Sequence, residues 1–340
     1  MIDCRAWCRV DLAGGTLDIW PLGQLFPGAR TVNVAVDVAV HLRLERSESA
    51  YEIHQDGVDV AAASLGELSA RAETALIAVF AQALDLPPFF LELASASPRG
   101  GGLGASSAIG AAFLAAAEVA FSLPRTTVAE KVHLARDLEA RLMGLPTGTQ
   151  DHYPALLGGA LEIEHRAGGE VVRQLAVDLP ALGDHLLVVD TGASHFSAGQ
   201  NWRVVRGCLD GDEAIRGAFE EIAEVASAMP GALESGDFPA AGRLLHREWL
   251  ARRRLSDGVS TPKLEQLLSR AASLGAWGGK VCGAGGGGCL AVLLPAELRD
   301  LIAEELSHLG GRPLPAHPVG HPLEITIEAE RLENRLDLVG

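Results

Sequence analysis

Residues 97–121 read SPRGGGLGASSAIGAAFLAAAEVAF. Glycines gather ahead of two serines, and a run of small apolar residues follows. That run predicts a helix over 105–121 whose Ala-rich faces permit close packing. A glycine loop ahead of a helix can be a plain turn closed by serine caps. It can also be a phosphate cradle, built from backbone N–H groups and the positive end of the helix. The lysine of a Walker A loop is missing. Ser106 and Ser107 fall in the first helical turn, where a hydroxyl either caps the helix or meets Mg²⁺ beside a bound triphosphate. The stretch alone leaves both readings open.

The rest of the composition narrows the class. The 340 residues can bury one large core or two smaller ones, and two is the better expectation. Hydrophobic residues make up 48% and charged residues 21%, as in a globular enzyme. The net charge of −16 argues against nucleic-acid binding, which needs a basic face. It does not exclude a small anion held in a local pocket. The five cysteines, Cys4, Cys8, Cys208, Cys282 and Cys289, are odd in number and sparse. They read as buried thiols rather than disulfides or a zinc site. No stretch reads as a signal peptide or a membrane span, so the expectation is a cytoplasmic protein without membrane partners.

Strands are predicted at 31–46, 87–98 and 160–165, in HLLVVDTG (185–192) and in LEITIEAE near the end. A second helix opens at Thr127, where Thr127-x-x-Glu130 forms a capping box, and stops at Gly144. Residues 209–256 read as helical with a break around Met229-Pro230-Gly231. A helix over 261–274 follows, then GGKVCGAGGGGCLAVLLP as strand, glycine loop and strand, then a helix over 296–309. The mixture lacks a strict βαβ rhythm, which predicts an α+β fold. The domain boundary is expected at 183/184.

Three further constellations carry chemistry. GAGGGG (283–288) satisfies GxGxxG, but a strand follows it where a dinucleotide fingerprint must open a helix. A hairpin making close backbone approach to another segment is the better reading. RVDLAGGTLD (9–18) gathers Arg9, Asp11 and Asp18 around Gly14 and Gly15. Glu139 flanks the apolar stripe of its helix and is followed by GLPTGTQD (144–151). Taken alone, Glu139 reads as a solvated helix-surface residue and Asp151 as turn chemistry.

Together, RVDLAGGTLD, PRGGGLGASS (98–107) and KVCGAGGGGCLAVL (280–293), with GLPTGTQD between the last two, resemble the GHMP kinase superfamily. The resemblance spans essentially the whole chain. It implies a two-domain α+β fold, with an N-terminal ribosomal-S5-like domain (1–183) and a C-terminal ferredoxin-like domain (184–340). The blocks are most similar to bacterial sugar kinases acting on the anomeric hydroxyl, of the D-glycero-D-manno-heptose 7-phosphate kinase and L-fucokinase types. Galactose, fucose or mevalonate are alternative acceptors, and a non-catalytic sensor of ATP and sugar is the alternative outside enzymes.

Residue by residue, the resemblance implies that Pro98, Gly100, Gly101, Gly102, Leu103, Gly104, Ala105, Ser106 and Ser107 wrap ATP. Ser106 or Ser107, with Glu139, would hold Mg²⁺. Asp151 would be the catalytic carboxylate and Arg9 the basic residue that neutralises transferred charge. Gly15, Thr16, Asp18, Asp151, Gly285 and Gly286 would contact the acceptor. His152 is an alternative base, and Thr191 to His195, after a strand, would either line the sugar pocket or form a plain loop. A phosphorylated acceptor would need a second anion site, for which Arg30, Arg203 and the arginines 252–254 are candidates. ATP and a small sugar are the expected partners, and a homodimer stays open.

Overall fold

The structure, a computed structural model, describes residues 1–193 and 198–327. β1 (Ile2–Ala13) passes through a short α1 (Leu22–Leu25) into the long β2 (Arg30–Arg46). β3 (Tyr51–Gln55), β4 (Val58–Ala62), α2 (Leu65–Ser69) and α3 (Ala75–Ala83) lead to β5 (Phe89–Ser95). Next come α4 (Ala105–Ala120), α5 (Val128–Met143), α6 (His152–Leu157), β6 (Ala160–Arg166) and β7 (Gly169–Gln174). Then α7 (Leu179–His185), β8 (Leu186–Asp190), α8 (Ala198–Leu209), α9 (Glu213–Glu234), α10 (Phe238–Arg252) and α11 (Pro262–Ser273) follow. β9 (Gly278–Val281), β10 (Cys289–Leu293), α12 (Arg299–His308), β11 (Arg312–Leu314) and β12 (Glu324–Ile327) complete the described chain.

Among the described residues the strands form two sheets. The larger runs β12-β1-β2-β5-β3-β4, and β6 and β7 extend it beside β2. β2 is long because it serves two neighbours: residues 40–46 pair with β5, and residues 30–34 with β6. The smaller sheet, β11-β8-β10-β9, is antiparallel throughout. β12 lies in the larger sheet, against Ile2 to Arg5. The remainder of the expected LEITIEAE strand, from residue 328 onward, lies outside the described residues.

α4 is buried without interruption from Ser107 to Ala117, and its small side chains are the reason it fits. At Gly110 a methyl group would sit 2.6 Å from the ring of Phe80. The Thr127 capping box forms as predicted, and α5 stops at Gly144 in the left-handed conformation. One core runs continuously from the larger sheet through α4 to β8 and β10.

The break expected at Met229-Pro230-Gly231 is not there. α9 continues through Pro230 to Glu234. A proline costs its helix one hydrogen bond and a clash with the preceding turn. Pro230 stands in the last turns of α9 and is buried beside Met229 and Leu233, so packing outweighs that cost. The chain breaks instead at Ser235-Gly236-Asp237. Gly236 has φ +71, and Asp237 caps α10 by accepting from the Ala240 N–H at 2.9 Å.

The two glycine loops pack on each other. Cys289 N–H donates to the Gly101 carbonyl at 2.8 Å. A methyl group at Gly288 would stand 2.9 Å from the carbonyl oxygens of both Gly100 and Gly101. Gly102, with φ +71, lies so near the Cys282 carbonyl that a Cβ would overlap it. The close backbone approach expected of GAGGGG is therefore made to the first loop. Gly102→Ala should cost on the order of 2 kcal/mol and lower the thermal midpoint by several degrees. A midpoint within about one degree of the parent protein would show that the loops separate freely.

Candidate active site

A cleft of about 560 Å³ opens where β1, the first glycine loop and α4 meet the 144–151 turn. β1 supplies Arg9, whose side chain is buried. Its Nε and Nη2 donate to Asp151 Oδ1 at 2.8 and 2.6 Å, and its Nη1 donates to the Gly102 carbonyl at 2.5 Å. Its backbone N–H donates to the Leu103 carbonyl at 2.9 Å. Burial works against the guanidinium charge, but Asp151 and then Asp11 more than offset it, so the Arg9 pKa is raised. One side chain thus ties the glycine loop to the carboxylate.

The loop and the helix behind it are shaped for an anion. Gly104 caps α4 in the left-handed conformation with no side-chain hydrogen bond, so the positive helix end faces the cleft uncapped. A methyl group at Gly104 would lie 3.2 Å from Asp151 Cβ, which lets loop and carboxylate share one wall. The serines are not caps. Ser106 Oγ and Ser107 Oγ donate to Glu139 Oε1 and Oε2 at 3.2 and 3.0 Å.

Glu139 is 5% exposed, which corrects its reading as a solvated surface residue. Burial pushes its pKa up, but the charge of His152 and the hydroxyl donations prevail and leave it below the ordinary range. His152 is fully buried, with Nε2 3.3 Å from Glu139 Oε2, within ion-pair range. It does not line the cleft, so it serves Glu139 and is not a second base beside Asp151.

Asp18 lines the cleft and accepts the Gln150 backbone N–H at 3.0 Å. Burial, aided by the charge of Asp151, pushes its pKa up to about 6. Gly15 and Thr16 also line the cleft, and Thr16 holds φ +78. One expectation about the acceptor side is corrected. Gly285 and Gly286 pack on Val259, with Gly286 N–H donating to the Val259 carbonyl at 2.8 Å. From that loop, Gly283 and Ala284 line the cleft instead. Thr191 spends its hydroxyl on the Gly288 carbonyl at 2.7 Å, while Ser194 and His195 lie outside the described residues.

The arginine triplet is not a unit. Arg253 and Arg254 reach out to Glu265 and Glu221. Arg252 is buried, binds Glu248 at 2.5 Å and donates to the Gly15 carbonyl at 2.8 Å. Arg30 pairs with Glu162, and Arg203 is exposed; neither lines the cleft.

Sequence reasoning missed the network behind Arg252. Lys280 sits between Asp11 at 2.7 Å and Glu248 at 3.1 Å, with all three side chains buried. It also missed Gln150, whose side chain lines the cleft with Oε1 buried and unpartnered. The position next to Asp151 was the available signal for Gln150. For Lys280, the signal was a lysine inside an otherwise apolar strand.

Family models for the GHMP kinase N-terminal domain and for the GHMP kinase C-terminal region match residues 70–159 and 228–311, between them just over half of the chain. The chain belongs to the GHMP kinase family. Members are kinases that phosphorylate hydroxyl groups of sugars and mevalonate, with ATP as the implied co-substrate. A galactokinase of Mycobacterium tuberculosis is 27% identical over 333 residues, covering 87% of this chain and 90% of that one. The D-glycero-alpha-D-manno-heptose 7-phosphate kinase of Campylobacter jejuni is 30% identical over 222 residues, covering 63% and 64%. The crystal structure of a D-glycero-D-manno-heptose 1-phosphate kinase from Bacteriodes thetaiotaomicron superposes with a TM-score of 0.77 at 22% identity, over 97% of this chain and 100% of that one. The two-domain α+β fold of the family is the fold seen here. No helix among the described residues is long and apolar enough to cross a membrane.

The raised Asp18 pKa has a thermodynamic signature. Between about pH 4, the unfolded carboxyl range, and about pH 6, the native chain holds a proton that the unfolded chain has lost. The stability contributed by protonated Asp18 is therefore present near pH 4 and lost as pH rises through 6. Urea unfolding of Asp18→Asn across this window should lack that decline relative to the parent protein. Identical pH slopes would remove Asp18 from the assignment.

Proposed function

We propose that the protein is an ATP- and Mg²⁺-dependent sugar kinase that transfers the γ-phosphoryl group to the anomeric C1 hydroxyl of a sugar or sugar phosphate. D-glycero-D-manno-heptose 7-phosphate is the first acceptor to test, because two of the similar proteins are named for heptose phosphates. The observation that carries the reading is convergence: Arg9, Asp151, Ser106, Ser107 and Glu139 surround one cleft at an uncapped helix end. In this reading residues 1–183 supply most of that cleft and residues 184–340 close it through Asn201, Arg252, Gly283 and Ala284, within a cytoplasmic enzyme.

Each residue has a physical task. Backbone N–H groups of residues 98–107 and the end of α4 hold the nucleotide phosphates. Asp151 orients the acceptor hydroxyl and takes its proton, while Arg9 balances the charge that develops between the oxygens. Asp18 and Thr16 face the acceptor's other hydroxyls. The donor set fits magnesium: one carboxylate and two hydroxyls, all hard oxygens, gather at Glu139. Among the described residues no group of three His, Cys, Asp or Glu is placed to hold a metal. Nucleotide phosphates would have to complete the shell, as Mg²⁺ commonly requires. Bound there, Mg²⁺ would supply neutralisation of phosphate charge.

A second reading, a free hexose such as galactose, has one observation in its favour. The arginines that line the cleft among the described residues are each already paired: Arg9 with Asp151, Arg252 with Glu248 and Arg99 with Asp56. An acceptor bearing its own phosphate would have to draw one of them away.

ADP release across free sugars, sugar phosphates and mevalonate, with the product's phosphate position read by ³¹P NMR, separates these acceptors. Phosphate at C1 is expected; transfer elsewhere, or to mevalonate alone, would overturn the assignment. Asp151→Asn should lower kcat roughly 10²–10⁴-fold with nucleotide affinity nearly unchanged, by titration calorimetry. Glu139→Gln should raise the Mg²⁺ needed for half-maximal rate about tenfold or more. An unaltered metal titration would count against its ligand role.

A further inference from the structure

Asn33 Nδ2 donates to the Gln150 carbonyl at 3.1 Å, and three further contacts hold the turn that carries Asp151, two of them in the cleft. Arg9 grips the Asp151 carboxylate, and Asp18 accepts the Gln150 N–H. The third lies outside. Glu170, on β7, accepts from the Thr149 hydroxyl at 3.1 Å through Oε1. Through Oε2 it accepts from the Tyr153 hydroxyl at 3.2 Å and meets His133 Nε2 at 2.7 Å. Thr149 and Tyr153 are buried and stand two residues before and two residues after Asp151. Glu170 is absent from the walls of the cleft and lines a separate cavity of about 420 Å³.

We propose that Glu170 is a positioning residue for phosphoryl transfer: one carboxylate, bonded on both sides of Asp151, sets the height and angle of that residue in the cleft. The inference rests on the reading of Asp151 as the carboxylate that meets the acceptor. The geometry is economical in degrees of freedom. A carboxylate accepts through two oxygens at a fixed angle, so fixing residues 149 and 153 leaves the peptide between them little room to rotate. A displacement of about 1 Å at a reacting group can cost on the order of 100-fold in rate. The ATP loop has no bond to Glu170, so nucleotide binding should not notice its removal.

The test is steady-state kinetics on full-length variants, with ATP and the best acceptor from the panel above. Glu170→Ala should lower kcat between about 10- and 100-fold while leaving KM for ATP within about twofold. Glu170→Gln, which still accepts through one oxygen, should recover a large part of the loss. Thr149→Val and Tyr153→Phe each delete one donor and keep the carboxylate. Each should lower kcat less than Glu170→Ala does, and the pair should combine non-additively with it. These milder variants decide the matter if Glu170→Ala fails to fold. A kcat within about twofold of the parent protein in Glu170→Ala, or in both milder variants, would overturn the proposal. So would a loss that raises KM for ATP in step with the fall in kcat. Asp151→Asn, assayed alongside, separates the two claims. If it is inactive and Glu170→Ala is not, Glu170 alone is wrong; if it is active, the reading of Asp151 fails and Glu170 loses its role with it.

Discussion

The buried guanidinium of Arg9 is the contact on which the site depends. A charge taken out of water is costly unless paired and hydrogen-bonded. Arg9 is matched by Asp151, the Gly102 carbonyl and, at its own backbone, the Leu103 carbonyl. A strand of the larger sheet, the loop ahead of α4 and the turn ahead of α6 are thereby drawn to one point. Moving any of them takes a partner from a cation that water reaches poorly. The same demand that holds the fold together sets a carboxylate and a positive charge beside an open helix end, which is the arrangement phosphoryl transfer needs.

Charge in this molecule is local rather than global. A net charge of −16 opposes the approach of a nucleotide triphosphate, and salt would screen that opposition at a distance. Inside the cleft the balance is different. Arg9 and the α4 end bring positive charge to it, while Asp18 and Asp151 bring carboxylates. Burial and its neighbour's charge push the Asp18 pKa up to about 6. A donor hydroxyl from a bound sugar would favour the charged form of Asp18, so binding and ionisation at that residue are coupled.

What could be read from the sequence followed locality. The Thr127 capping box and the Gly144 stop depend on residues three or four apart, and the glycine loops announce themselves by composition. The rejection of a dinucleotide site needed only the order of loop and strand. Pro230 misled because its penalty is local while the packing that overrides it is not. The Asp11–Lys280 pair spans 269 positions, and no window contains both. Glu248 and Arg252 are four apart, a spacing at which helix side chains meet, but that spacing does not reveal that both are buried. Glu139 shows the same limit: its helix places it correctly, but only the fold shows what covers it.

The Asp11–Lys280–Glu248–Arg252 chain gives the two halves of the sequence a shared electrostatic fate. Lys280 and Glu248 come from the second half, Asp11 and the Gly15 carbonyl from the first, and none of the three charged side chains reaches water. Each half expressed by itself would keep its buried charges and lose their counterparts. The first would carry Asp11 without its cation, and the second would carry Lys280 with one carboxylate in place of two. Cleaved halves should therefore be poor autonomous folders but strong complements, each acting as the other's missing ligand.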